Sequence, residues 1–126
     1  MSNSTQGILL GGGRRNIIYN NHFYYITGGV AVYMDNRGMN WQLATCNDTN
    51  AMFGTELKSY NYTYPPWSTA YPETVNDFNE RPCVPVFNDV RNNSFCGSTF
   101  TNVNNASLVA WNSTFEENYQ SCKRNE

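Results

Sequence analysis

The chain has 126 residues, of which 40% are hydrophobic and 15% aromatic, and its formal net charge is −2. That length fits one domain, and the apolar fraction allows a modest core and excludes a disordered chain. Basic residues are scattered and outnumbered by acidic ones, which leaves no electrostatic footprint for nucleic acid, and no apolar run approaches the ~20 residues of a membrane span.

The first apolar segment is Gly7-Ile8-Leu9-Leu10, followed by the triple glycine Gly11 to Gly13. Those glycines lack the downstream Lys-Ser/Thr of a phosphate loop and precede a strand, so they read as a turn. Next comes Asn16-Ile17-Ile18-Tyr19-Asn20-Asn21-His22-Phe23, which returns 72 residues later as Asn88-Asp89-Val90-Arg91-Asn92-Asn93-Ser94-Phe95. Each copy sets an aliphatic residue, a pair of asparagines and an aromatic in the same order. A coil built this way buries its apolar side chains and stacks on an equivalent coil above or below. Asparagine suits the tight corners between short strands, where left-handed backbone is needed, and in register it forms ladders. The repeat therefore predicts an all-β chain, a coiled β-solenoid. His22 corresponds to Ser94 in the second copy, which marks an outward, replaceable position and not a catalytic one. Ala31-Val32-Tyr33-Met34 and Leu108-Val109-Ala110-Trp111 read as apolar strands that follow each copy.

Residues 1–42 thus read as strands and turns, residues 43–82 as a long insertion and residues 83–122 as a return to short strands, all within a single domain, 1–126. Inside the insertion, Ala51 to Tyr60 has helical periodicity, which Pro65 and Pro66 stop by removing donors and fixing φ. Thr74 to Asn79 reads as another helical turn after Pro72, with Glu73 beside its start. Aromatic residues are dense here, and Tyr64, Trp67 and Tyr71 are candidates for stacking on the apolar faces of sugar rings. The competing reading is that they anchor an otherwise irregular excursion against the solenoid.

Cys46, Cys83, Cys96 and Cys122 are even in number, have no CxxC spacing, and share the chain with a single histidine. That pattern argues for disulfides and against a metal site; no cofactor is expected. Of the three possible pairings, Cys46 to Cys83 with Cys96 to Cys122 closes two coherent units, the insertion and the C-terminal tail. Six sequons, at Asn3, Asn47, Asn61, Asn92, Asn105 and Asn112, add N-glycans to the expectation and place the chain outside the cell. Asn61, Asn105 and Asn112 read as loop or corner sites open to glycans, and Asn92 as a ladder asparagine.

Gly11-Gly12-Gly13-Arg14-Arg15-Asn16, Asn20-Asn21-His22-Phe23 and Asp35-Asn36-Arg37-Gly38 with Trp41, in that order, resemble the later coils of secreted proteins of the pectate-lyase-like superfamily. Tyr64 to Glu73 resembles the insertion that follows those coils in one secreted subgroup, and Pro82, Pro85 and Asn88 fit the return to the helix. The resemblance covers roughly residues 8–95. It implies a right-handed parallel β-helix, a short solenoid with an irregular, partly helical insertion, together with an extracytoplasmic setting and a link to polysaccharides. In that superfamily the motifs sit late in a long solenoid, so this chain looks like the end of one.

Glycoside hydrolysis needs two carboxylates about 5 Å or about 6.5–9.5 Å apart. Asp35, at the end of an apolar strand with Arg37 two residues on, is the best candidate, and Glu56, Glu73, Asp77 or Asp89 is its possible partner. A structural turn over Asp35 to Gly38 accounts for the same residues. A uronate lyase would use Arg14, Arg15 or Arg37. The expectation that emerges is a noncatalytic extracellular glycoprotein whose partners are copies of itself or further β-helix coils; the alternative is a fragment of a carbohydrate-active enzyme acting on polysaccharide.

Overall fold

The computed structural model describes residues 5–24, 26, 29–48 and 50–122, with backbone alone at 39, 41–43, 47, 53 and 105. The chain divides into two compact units, Met1–Asp35 with Pro85–Glu126, and Asn36–Val84.

The first unit is built from nine short strands: β1 (Gln6–Leu10), β2 (Ile17–Tyr19), β3 (His22–Tyr24), β4 (Val30–Met34), β5 (Asp89–Arg91), β6 (Ser94–Cys96), β7 (Thr99–Thr101), β8 (Thr114–Glu116) and β9 (Tyr119–Gln120). They pair only in parallel, in three sheets ordered β1-β4-β7, β2-β5-β8 and β3-β6-β9. The chain therefore makes three passes, each leaving one strand in every sheet, which is a sheet-rich, solenoid-like arrangement. The register follows the repeat: Ile18 pairs with Val90 and Phe23 with Phe95. A third pass extends these columns, Val90 to Phe115 and Phe95 to Gln120.

Alternation along the strands decides what is buried. In β2 and β3 the middle residues, Ile18 and Phe23, are buried while Ile17, Tyr19 and Tyr24 are exposed. The middle pass is the most enclosed because it has a neighbour on both sides: Val32, Val86 and Val90 are 0% exposed, whereas Phe100 and Phe115 of the third pass are only partly buried against the core. Phe100 joins the layers by ring contacts to Phe23, Phe95 and Phe115, with centroids 6.4, 5.1 and 6.0 Å away. At Gly7 the backbones approach so closely that a Cβ would lie 2.5 Å from the Ala31 carbonyl oxygen.

Two columns of corner residues carry the chain from sheet to sheet. Arg15, Phe87 and Asn112 form one, and Asn20, Asn92 and Glu117 the other; all six have positive φ, between 46° and 59°. The residue after each corner points its side chain along the stack. Asn93 is fully buried: its Oδ1 accepts from the Asn21 N–H at 3.0 Å, and its Nδ2 donates to the Ile18 carbonyl at 2.9 Å. Asn118 repeats the arrangement one pass on, accepting from the Asn93 N–H at 3.0 Å and donating to the Val90 carbonyl at 2.9 Å. At the other corner Asn88 accepts from the Asn16 N–H at 3.0 Å and donates to the Gly13 carbonyl at 3.0 Å, so the triple glycine serves the ladder.

The apolar segment Leu108 to Trp111 is not a strand: it falls in and just after helix α4 (Asn105–Ala110). The Asn104 side chain starts that helix by accepting from the Ser107 N–H at 2.8 Å, a local capping bond that outweighs the strand preference of Leu-Val-Ala-Trp. Its place in the first sheet is taken by Thr99–Thr101, and Asn102 extends the edge by bonding both the N–H and the carbonyl of Met34.

The second unit contains α1 (Arg37–Asn47), α2 (Met52–Ser59), α3 (Trp67–Ala70) and a 3-10 turn, Pro72–Asn76. The helix expected over Ala51 to Tyr60 is α2, whereas the helical turn expected over Thr74 to Asn79 is a 3-10 turn that starts earlier, at Pro72, and ends at Asn76; α1 begins at Arg37, inside the stretch read as strands and turns. Cys46 bonds to Cys83 within this unit, and Cys96 to Cys122 within the first, with Cα atoms 6.0 and 5.0 Å apart.

Replacing Asn93 by alanine should destabilise the protein by roughly 2–4 kcal/mol, because the part-buried Asn21 N–H and the buried Ile18 carbonyl each lose the Asn93 side chain as a partner. Urea denaturation measures this. A loss below about 1 kcal/mol would mean the ladder contributes little.

Candidate functional site

Asp35 follows β4 directly, is half-buried, and donates its backbone N–H to the Leu10 carbonyl at 3.1 Å. Arg37 is the first residue of α1; Asn36 between them is the N-cap residue, and its side chain accepts from Asn40 Nδ2 at 3.2 Å without capping a backbone N–H. The segment expected to be a turn is thus a strand-to-helix junction at the boundary of the two units. Of the carboxylates considered as partners for Asp35, Glu56, Glu73 and Asp77 belong to the second unit. Asp89 shares the first unit but is engaged on the outside of β5, 3.3 Å from the Arg91 guanidinium and accepting from Thr114 Oγ1 at 3.1 Å. Among the described residues no group of three or more His, Cys, Asp or Glu side chains is placed to hold a metal ion.

Arg14 and Arg15 lie against one aromatic ring, their guanidinium carbons 5.7 and 5.1 Å from the centre of Phe87. That cation–π stack holds a corner, since Arg15 and Phe87 are consecutive members of one left-handed column. His22 sits opposite Ser94 in the register and its Nδ1 is hydrogen-bonded to the Ser94 hydroxyl.

Four aromatic residues of the second unit are in solvent: Tyr60, Tyr64, Trp67 and Tyr71 are 63, 67, 45 and 52% exposed. Trp67 and Tyr71, one turn apart on and after α3, have ring centroids 6.5 Å apart and planes inclined by 21°. They line a cleft of about 240 Å³ with Leu57, Tyr62, Thr74 and Asp77. A neighbouring hollow of about 280 Å³ shares Leu57, Tyr62 and Trp67 and adds Tyr60. Tyr64 lies outside both.

Asn61, Asn92 and Asn112 are exposed and all three have positive φ. Asn92 is therefore a corner residue facing solvent, and the buried ladder residue is its neighbour Asn93. Asn3 lies outside the described residues; Asn47 ends α1 and Asn105 begins α4, and their side chains are also outside the description.

The most distinctive surfaces are the ends of the three sheets. β1, β2 and β3 pair on one side only, and so do β7, β8 and β9 among the described residues. Sequence reasoning missed the third pass, whose signal is Phe115 and Asn118, each 25 residues beyond Val90 and Asn93.

No known family model, curated protein or solved structure matches the chain. The likeness to the pectate-lyase-like superfamily therefore rests on the motifs alone. Among the described residues no helix is long and apolar enough to cross a membrane.

Removing the Cys46–Cys83 bond, which closes 37 residues, should cost about 4 kcal/mol by loop-closure entropy. Limited proteolysis of the Cys46→Ser, Cys83→Ser variant should cut first between residues 47 and 82. Initial cleavage among the nine strands would contradict that assignment.

Proposed function

We propose that the chain is a noncatalytic, extracellular, N-glycosylated β-solenoid building block, a right-handed parallel β-helix that continues end to end onto copies of itself or onto a longer solenoid. The observation that carries this reading is that, among the described residues, the strands of the first and third passes pair on one side only. Three parallel sheets each stop at an edge strand, and exposed strand edges are templates for pairing. A three-pass stack is also near the minimum for a continuous core. Support for export comes from the two disulfides and from exposed sequon asparagines at Asn61, Asn92 and Asn112. Glycans at the Asn92 and Asn112 corners would cover the sides of the stack and leave its ends free.

The expected result is an apparent mass that rises with concentration in light scattering of the glycosylated protein, with short fibres in electron micrographs. A monodisperse monomer at high concentration would overturn assembly, and glycopeptide mapping that found Asn61, Asn92 and Asn112 all bare would overturn export.

A second reading, contact with polysaccharide, is favoured by the exposed cleft of Trp67 and Tyr71. Aromatic faces stack on pyranose rings, and Asp77 and Thr74 at the same cleft supply hydrogen-bonding groups. In that case soluble oligosaccharides quench Trp67 fluorescence, and Tyr71→Ala weakens binding by about tenfold, equivalent to ~1.4 kcal/mol. Unchanged fluorescence across neutral and uronate oligosaccharides would remove it. The catalytic version, with Asp35 and Arg37 acting on the same polysaccharide, requires turnover that is lost in Asp35→Asn.

A further inference from the structure

The backbone N–H bonds of the corner ladder all point the same way along the stack. In every pair of passes the earlier pass donates its backbone N–H to a side-chain oxygen of the later one: Asn16 to Asn88 and Asn21 to Asn93, each at 3.0 Å, then Asn93 to Asn118 at 3.0 Å. In return the later asparagine donates its Nδ2 to a carbonyl of the earlier pass, Asn93 to Ile18 and Asn118 to Val90, both at 2.9 Å. The two ends of the stack are consequently different. At the first pass, among the described residues, the Asn21 Oδ1 accepts no hydrogen bond. At the third pass the Asn118 N–H donates none among the same residues.

The other corner is not open in the same way. Ser113 takes the ladder position there, and its N–H already donates to the Leu108 carbonyl of α4 at 3.0 Å. Of the two third-pass corners, the one between β8 and β9 presents the unused ladder donor.

We infer that the occupant of the third-pass end is the first-pass end of a second copy, joined head to tail with Asn118 beneath Asn21 of the next copy. In that joint the Asn118 N–H donates to the next copy's Asn21 Oδ1, and the next copy's Asn21 Nδ2 turns to the Phe115 carbonyl. These are the bonds that Asn93 makes inside the molecule. Strand β8 then receives the next copy's β2, with Thr114 opposite Ile17, and β9 receives its β3, with Tyr119 opposite His22. A two-fold joint is disfavoured by the same chemistry, because it sets the Asn21 oxygen against another Asn21 oxygen, or the Asn118 N–H against another N–H. Head-to-tail contacts that do not close in a ring give an open filament. The inference rests on the assembly proposed above and adds its polarity and register.

The register is testable with cysteines on the outward face. Ile17 is 60% exposed and Thr114 is exposed. Within one molecule β5 lies between them, Ile17 pairing with Asp89 and Asp89 with Thr114. Two strand spacings of about 4.8 Å put them roughly 9.6 Å apart, too far for a disulfide, whereas across the joint they are one spacing apart, within bonding range. Ile17→Cys with Thr114→Cys, oxidised by oxidised glutathione, should give a ladder of covalent multimers on denaturing gels, and peptide mapping should show the two introduced cysteines bonded to each other between chains. The control pair Ile17→Cys with Glu116→Cys, out of register by two residues, should give at least tenfold less. Equal yields from both pairs, or dimers joined through the Ile17→Cys site of each chain, would overturn the head-to-tail register while light scattering still showed assembly. Loss of assembly in the unmodified protein would overturn the register and the function together.

Discussion

The whole arrangement depends on the buried side-chain amides of Asn88 and Asn93, at the two corners of the middle pass. A chain that turns from one short sheet to the next must expose peptide groups at the points where stacked passes exclude water, and an unpaired peptide group in that setting costs free energy comparable to a lost hydrogen bond. Asn88 and Asn93, 1 and 0% exposed, meet this demand by offering an acceptor to the pass before and a donor to the same pass through one planar side chain. Leucine of similar size would fill the space and leave both peptide groups unpaired. Aspartate would accept and could not donate.

The corner residues preceding the ladder bear the conformational cost. Left-handed backbone is tolerated by asparagine and disfavoured for most other side chains. Asn20, Asn92 and Asn112 fit that preference, but Arg15, Phe87 and Glu117 occupy equivalent corners with φ of 55°, 59° and 54°. Strain of this kind persists where the surroundings fix the conformation. For Arg15 and Phe87 the surroundings include their own mutual stack and the backbone bonds from Arg15 N–H to the Val86 carbonyl and from Phe87 N–H to the Trp111 carbonyl. Nothing in the structure explains the choice of glutamate at position 117.

Much of the first unit was legible in the sequence because the repeat is also the register: Ile18 over Val90 and Phe23 over Phe95 are the same residues in both descriptions. The third pass was not legible. Ser113 stands for the first ladder asparagine, Glu117 for the corner asparagine and Gln120 for the aromatic, leaving only Phe115 and Asn118 as signal. Leu108 to Trp111 misled for a different reason, since its β-forming composition is overridden by a cap three residues upstream of Ser107. The disulfide partners followed from which segments each bond would close. Burial was harder: adjacent asparagines at 92 and 93 are indistinguishable by composition, and only the corner geometry decides that Asn92 faces solvent while Asn93 faces the stack. For the aromatic cluster composition gave the residues, but exposure of Trp67 and Tyr71 depends on how the segment after α2 turns.

If the stack of parallel strands continues from copy to copy, its length per copy is set by strand spacing. Three passes at about 4.8 Å give an axial rise of about 14 Å per subunit. Helical reconstruction from electron micrographs of the assembled protein measures that rise directly. End-to-end stacking requires a value near 14 Å, with strands perpendicular to the fibre axis; a rise that is not close to three strand spacings, or strands running along the axis, would be incompatible with it.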